Sequence, residues 1–553
     1  MQTAELVVLY VVVATLAHVT EAQFPRVCTT VDHLRSKECC PVPGGYTQPC
    51  GGPGRGSCQV IPDGTMKVYD YKPNWVRDDR SQWPKLFFNR SCTCEFPFSG
   101  YDCSKCVWGR YGSACDVTKT IVRKNVKGLS SEDRFKYQTY LNRAKTDTSD
   151  YVVATEFYDT MVNSSTSVID PSFVDVSVYD FLVWMHYYAS RETILPEDND
   201  ICKVDEDCEF DTAHDAVGFL TWHRGFLLEM ERFIQEVNSD PDWAIPYWDW
   251  TASEQCDICT NDFVGANDDS GNLDSGSAFS GWEALCEDAE EQHGILKPCD
   301  PNHRRNPPLK LTRNPGGQDK YGETLRRLPR REEVDFALRF ATFDNSPFNK
   351  TSDCVFRNLV EGYADTRTGK YRPDIIGPDG ENVVPGAHTL HNHVHIYLHG
   401  TMSAVPTSSN DPIFWLHHAS IDRIFEKWLR KYKPAVSEYP LDSAPPGHNR
   451  DEYIVPLFPP FTHESVFKAS TDLGYDFEGV DADGKSDGDE EPGNTDLGEC
   501  GSVPGAVSDV ASIAPPVPVR TRPPISGAIG QKLTLFGSLA HGIGIICAFL
   551  AFE

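Results

Sequence analysis

Several of the chain's 17 histidines stand at helical spacing inside apolar runs. This placement constrains the fold more than any other feature, because a buried imidazole needs a hydrogen-bond partner or a metal ion. In Val178–Tyr188, the apolar residues Tyr179, Leu182 and Val183 share a helical face with His186. In Phe219–Val237 the stripe Phe219, Leu220, Phe226, Leu227, Met230, Phe233, Ile234 and Val237 has His223 in its middle, and His214 lies nine residues earlier. One such histidine is ordinarily a hydrogen-bonded core residue. Three that converge are not explained that way.

A second cluster is sharper. In LHNHVHIYLHGTM, Leu390–Met402, His391 and His395 are four apart. They project from one helix face about 5–6 Å apart, a spacing that lets two imidazoles reach one metal ion. His393 points to roughly the opposite face. In DPIFWLHH, Asp411 is an expected N-cap and Pro412 the first helical residue. Phe414, His418, Ile421, Phe425 and Trp428 then form one stripe, so His418 faces the core. Asp422, one turn on, is expected to orient an imidazole rather than to ligate. His186, His214 and His223 with His391, His395 and His418 therefore describe two all-imidazole metal sites facing each other, while spacing alone neither chooses the metal nor shows that the two triads meet. Imidazole suits copper, zinc, iron and nickel, and three neutral ligands leave positions open for dioxygen or substrate.

With 553 residues the chain exceeds the ~250–300 at which a single core stops growing. Its formal net charge of −30 argues against a nucleic-acid partner, since phosphate binding needs Lys and Arg. Ten of its 19 cysteines lie between Cys28 and Cys115 and are expected to form about five disulfides in a small module. The pieces CTCEFPFSGYDCSKC and GRYGSAC resemble the rhythm of epidermal-growth-factor-like folds. The expected organisation is a signal peptide over 1–22, the Cys-rich module over 23–117, and a large helical domain over 118–473 that opens with a Ser130/Asp133 capping box. An acidic and proline-rich stem over 474–532 and a hydrophobic anchor over 533–552, a transmembrane helix or a glycolipid-anchor signal, complete it. Cys202 and Cys208 are expected to close a local loop. Cys547, in the apolar tail, is the odd cysteine, which leaves an even set outside the membrane. Sequons at Asn89, Asn163 and Asn349 agree with passage through the secretory pathway.

At the histidine blocks the chain resembles the tyrosinases, the type-3 dicopper proteins, and particularly the membrane-anchored animal enzymes. The matching blocks include FLVWMHYYAS (Phe181–Ser190), AHDAVGFLTWHRGFLLEMER (Ala213–Arg232), IPYWDW (Ile245–Trp250), LHNHVHIYLHGTMS (Leu390–Ser403) and NDPIFWLHHASIDRIFEKWLR (Asn410–Arg430). With ECCP and GRGSC the resemblance extends over about residues 24–463. It implies a mainly α fold with irregular loops: a four-helix bundle holding a dicopper centre, preceded by the disulfide-rich module. His186, His214 and His223 would hold copper A, and His391, His395 and His418 copper B. The family's ligand lies four residues before the Asp, which selects His418 over His417. With O₂ as cosubstrate, the implied activity is ortho-hydroxylation of monophenols such as L-tyrosine and oxidation of o-diphenols such as L-DOPA to o-quinones, which initiates melanin synthesis. Glu361 and Asn392 match residues that hold a water for phenol deprotonation, and Val405, Ser408 and Tyr363 match the substrate pocket. Thr212 stands where fungal tyrosinases and molluscan haemocyanins carry a Cys thioether-linked to the histidine, so that crosslink is absent.

Other readings stay open at this point. FNKTSDCVFRNLVEGYADTRTGKY (Phe348–Tyr371) is more like the zinc-bearing tyrosinase-related proteins, which isomerise dopachrome or act on indole acids. WDW at Trp248–Trp250 and LHHA at Leu416–Ala419 favour tyrosinase. A haemocyanin-like oxygen carrier and an inert adhesive surface protein are the more distant alternatives. The expected location is the secretory pathway, membrane-anchored, with the catalytic domain facing the lumen or exterior at a melanosome or the cell surface. The expected partners are a small phenol and the membrane.

Overall fold

Helix starts follow the capping residues. In the computed structural model, α1 (Val31–Ser36) is capped by Thr30, whose side chain accepts the His33 N–H. The expected box opens α2 (Ser131–Thr146): Ser130 Oγ accepts the Asp133 N–H at 3.0 Å, and Asp133 returns the bond to the Ser130 N–H. After the single turn α3 (Tyr158–Met161), Ser177 Oγ accepts the Asp180 N–H at 3.0 Å and starts α4 (Val178–Ser190), which is buried along its whole length. Then come α5 (Phe219–Asn238), α6 (Arg331–Ala337), α7 (Phe356–Glu361), α8 (Leu390–Leu398) and α9 (Ile413–Tyr432). The Asp411 carboxylate accepts the Ile413 N–H at 3.0 Å and is itself gripped by Arg313 through two bonds of 2.6 Å.

The structure describes residues 23–486 apart from 67–77, 164–167, 192, 195–208, 288–290, 293–294, 304–305, 318–323, 353–354, 364–370, 377–382 and 386–389. All of these fall in the compact unit Met1–Val503; a second unit, Pro504–Glu553, lies outside the described residues. So do the expected signal peptide, the stem beyond residue 486, the apolar tail 533–552, and Cys202, Cys208, Cys354, Cys500 and Cys547. Among the described residues, no helix is long and apolar enough to cross a membrane.

All ten cysteines of the N-terminal stretch are paired, as Cys28–Cys39, Cys40–Cys58, Cys50–Cys92, Cys94–Cys103 and Cys106–Cys115. Cys256–Cys259 and Cys286–Cys299 add two disulfides further on. The Cys-rich stretch shares its core with the helices. Phe24–Pro25 pairs antiparallel with Tyr151–Val152, and the Phe24 ring lies 4.7 Å from Trp83 and 5.4 Å from Phe458. Arg80, fully buried, donates from Nη1 to the carbonyls of Ala189 and Arg191 at 2.7 and 2.9 Å, which satisfies the end of α4. Asp78 balances the Arg80 charge at 2.6 Å, and Asp79 faces Arg191.

A second buried charge cluster joins α5 to α9. Arg123 donates to Glu231 at 2.9 and 2.7 Å and to Asp422 at 2.6 Å. Arg224 meets Asp422 at 2.6 Å and Glu426 at 3.1 Å, and the Tyr475 hydroxyl donates to Asp422 at 2.7 Å. Each carboxylate out of water here has at least one guanidinium partner, and such a cluster is strongly destabilised by loss of one partner. Arg123→Met is therefore expected to lower unfolding stability by about 3–5 kcal/mol, read from the urea midpoint. A change within error would show that Arg224 and Tyr475 compensate fully.

Candidate metal centre

Four helices and one loop bring the six expected histidines together. His186 projects from α4, His223 from α5, His391 and His395 from α8, and His418 from α9, while His214 sits in the irregular turn before α5. In each triad the ligand atoms lie within 4.8 Å of one another. Ring centroids are 5.2 Å apart for His186–His214 and 4.9 Å for His214–His223; in the other triad they are 4.5 Å for His391–His395 and 4.9 Å for His391–His418. The triads abut, with the His223 and His418 rings stacked at 4.3 Å. Spacing in the sequence left open whether they met.

One ring nitrogen of five of the six is tied to the protein. Nδ1 of His186 bonds the Pro406 carbonyl (3.2 Å), that of His223 the Phe219 carbonyl (2.9 Å) and that of His395 the Met402 carbonyl (2.6 Å). His391 Nδ1 reaches the Glu361 carbonyl (3.2 Å) and Asn392 Oδ1 (2.9 Å), and His214 Nδ1 reaches the Asp211 carboxylate (3.0 Å). These acceptors place the proton on Nδ1 and leave the Nε2 lone pair facing inward. Among the described residues, Nε2 of His186, His223 and His391 is buried without a hydrogen-bond partner, and those of His395 and His418 lie 3.3 Å apart. Orphaned acceptors converging in a core are what a metal ion would satisfy, so the donor set fits a pair of metal ions held by imidazole alone.

Electrostatics keep the rings in the ligating form. Burial first, and then neighbouring imidazoles, holds His186, His223, His391 and His418 well below the usual imidazole range. Burial brings His395 down to about 4. His214 is the exception: burial opposes its cation, but Asp211 outweighs it and the ring stays above the usual range.

The other expected residues distribute unevenly. Asp422 does not orient His418. Its carboxylate is taken by Arg123, Arg224 and Tyr475, and the His418 Nδ1 has no hydrogen-bond partner among the described residues. An arginine's charge-assisted bonds outcompete a neutral imidazole for a buried carboxylate. Glu361, at the end of α7, is 1% exposed; it accepts the Asp215 N–H and an Arg357 bond of 2.7 Å, and burial pushes it up to about 8. Glu361 and Asn392 thus both touch His391. The Tyr363 hydroxyl donates to Asp215, the residue after His214. Val405 is half-exposed, and Ser408 is buried with its hydroxyl on the Val405 carbonyl, within the loop that supplies acceptors to His186 and His395. Asn89 is exposed, Asn349 is buried with its Oδ1 accepting from Thr351, and the side chain of Asn163 lies outside the described residues.

Two features escaped the sequence reading. Asp211 is the carboxylate that meets a triad imidazole, and the pattern Asp-x-x-His is a signal that an Asx turn could have supplied. His417, passed over for His418, is fully buried, with its ring 4.9 Å from His395 and 5.2 Å from His391 and its nitrogens near the second triad. A cavity of about 570 Å³ lies against Trp108, Phe233 and Phe461, and no histidine lines it. Donor chemistry, not volume, locates the site.

Residues 176–431 match the family model described as the common central domain of tyrosinase. The chain is 42% identical over 458 residues to the tyrosinase of Bos taurus, covering 82% of this chain and 81% of that one. It is 41% identical over 460 residues to the tyrosinase of Gallus gallus, covering 82% of each. It is also 38% identical over 467 residues to the 5,6-dihydroxyindole-2-carboxylic acid oxidase of Homo sapiens, covering 83% of this chain and 82% of that one.

The depressed imidazoles carry a pH dependence. Between the ordinary value of 6.5 and about 4, the unfolded chain protonates His395 while the folded chain does not. Stability of the metal-free protein should fall as the pH is lowered through that window, by up to about 3 kcal/mol from this residue, while His214 works in the opposite sense. Melting temperatures of chelator-stripped protein from pH 7 to 4 measure it. A flat profile contradicts neutral buried imidazoles.

Proposed function

The chain belongs to the tyrosinase family, and from that premise we propose that it is a type-3 dicopper oxidoreductase that hydroxylates monophenols and oxidises o-diphenols to o-quinones with O₂. The single observation that carries the reading is the pair of abutting imidazole triads in which, among the described residues, Nε2 of His186, His223 and His391 is buried without a hydrogen-bond partner and those of His395 and His418 meet only each other. When bound, the copper pair supplies the two-electron redox chemistry that side chains lack.

The protein's part is to hold and to position. His186, His214 and His223 would hold one ion and His391, His395 and His418 the other, with Nδ1 acceptors fixing most of the rings before metal arrives. Aromatic walls keep water away: Phe219 lies 4.6 Å from His391, and Phe414 4.0 Å from His418. Glu361 is assigned to hold, with Asn392, the water that takes the phenol proton. Support comes from its main-chain carbonyl, which meets His391, from its carboxylate, which meets the N–H of Asp215 next to His214, and from a carboxyl poised near neutrality, where a proton acceptor is most effective. Val405, Ser408 and Tyr363 are assigned to the substrate side.

The finer architecture proposed is a four-helix bundle of α4, α5, α8 and α9, supported by a ligand on each helix and by packing of α4 on α5, α5 on α9 and α8 on α9. The organisation proposed remains a Cys-rich module over 23–117, a catalytic domain over 118–473, a stem over 474–532 and a membrane anchor over 533–552 after a signal peptide over 1–22. Disulfides across the described residues support passage through an oxidising compartment.

Purified protein is expected to contain two copper ions per chain and to oxidise L-tyrosine and L-DOPA with oxygen consumption. Zinc in place of copper, with no phenol oxidation, would overturn the reading in favour of the zinc-bearing relatives. Glu361→Gln is expected to slow monophenol hydroxylation by about 10²-fold while leaving diphenol oxidation much less affected, read as separate kcat values. Equal losses on both substrates would remove Glu361 from the phenol-deprotonating role.

A further inference from the structure

His214 is the one member of the two triads that no helix carries. The other five rings start from α4, α5, α8 and α9, whose backbones aim them. His214 lies in an irregular turn and is followed by Asp215 at φ 62°, in the left-handed region. Nothing in regular secondary structure directs its ring.

Asp211 does so instead. Its Oδ1 accepts the N–H groups of Ala213 at 2.6 Å and His214 at 3.1 Å, closing an Asx turn, while its Oδ2 accepts from His214 Nδ1 at 3.0 Å. Asp211 is pinned in turn: His448 Nε2 donates to its carbonyl at 2.8 Å, and His448 packs so close to Gly218 that a Cβ there would fall 2.5 Å from its ring. Between them Thr212 ties the turn to α4, its N–H and hydroxyl bonding the Ala189 carbonyl at 3.2 and 2.9 Å. Among the described residues, the Nδ1 atoms of the other triad members meet carbonyls, the Asn392 amide oxygen or, for His418, nothing.

We propose that Asp211 is a positioning residue for the first metal site: it sets both the direction and the tautomer of the one loop-borne ligand, and so that site's hold on copper. The inference rests on His214 being a copper ligand. A carboxylate only accepts, so it requires the proton on Nδ1 and leaves the Nε2 lone pair for metal. Its charge also strengthens the ring as a donor. Among the described residues no carboxylate meets an Nδ1 of the second triad, so the two sites are held by unequal means. An asparagine at 211 keeps the volume and the turn, because its amide oxygen still accepts the backbone N–H groups. Its NH₂ then faces Nδ1, reverses the tautomer and places a hydrogen on the ligating Nε2.

The test loads the full chain with copper and then challenges it with a chelator, counting copper per chain by atomic absorption. The native chain should retain two ions. Asp211→Asn should retain about one, its weaker site losing about 10–100-fold in affinity. The remaining Cu(II) should give the paramagnetic resonance signal of an isolated ion, which a coupled pair does not give. Asp211→Ser, which keeps a hydroxyl for the backbone turn but offers no charge to Nδ1, is the second variant should the first not fold. Two ions retained at the native level by either folded variant overturns the proposal, and so does simultaneous loss of both ions. A native chain that takes up no copper overturns instead the functional reading beneath it.

Discussion

Six imidazoles share one core, and burying that many polar rings is costly unless their nitrogens find partners. Five of the six have Nδ1 tied to the protein, through three helix or loop carbonyls, a carbonyl with an amide oxygen, and one carboxylate. The ligand atoms of each triad lie within 4.8 Å of one another, and the triads abut where His223 stacks on His418. The rings are thus aimed before any ion binds. The tight turns of 400–410 bring the Met402 and Pro406 carbonyls to His395 and His186.

Rings aimed from separate helices stay aimed only if the helices hold their places, and here buried charge does that. Arg123, Arg224, Glu231, Asp422 and Glu426 lock α5 to α9 beneath the site, and Arg80 with Asp78 closes the end of α4. Such clusters are specific rather than cheap: each charge must meet its partner or the desolvation cost is uncompensated. The Cys-rich stretch accordingly belongs to the working structure, since the segment holding Asp78, Asp79 and Arg80 grips the helix that carries His186.

Helices with one apolar face were legible from their 3.6-residue period, as was the capping box at Ser130, because both depend on residues within one turn. The His391/His395 pair was legible for the same reason. Asp422 was misjudged because helical spacing places it near His418 along the chain, while its partners Arg123 and Tyr475 come from residues hundreds of positions or tens of positions away. Asp211 was overlooked because its role appears only when the turn before α5 folds back onto His214.

By itself the sequence determined which rings would be buried and which could share a face, since those follow from side-chain type and the local period. It also determined the cysteine-dense start, whose ten sulfurs are all paired. Only the tertiary structure decided that the two triads abut, which nitrogen of each ring is left for metal, and which carboxylate serves an imidazole rather than an arginine. Those outcomes rest on acceptors contributed by distant segments, many of them main-chain carbonyls that every residue carries and that no residue type announces.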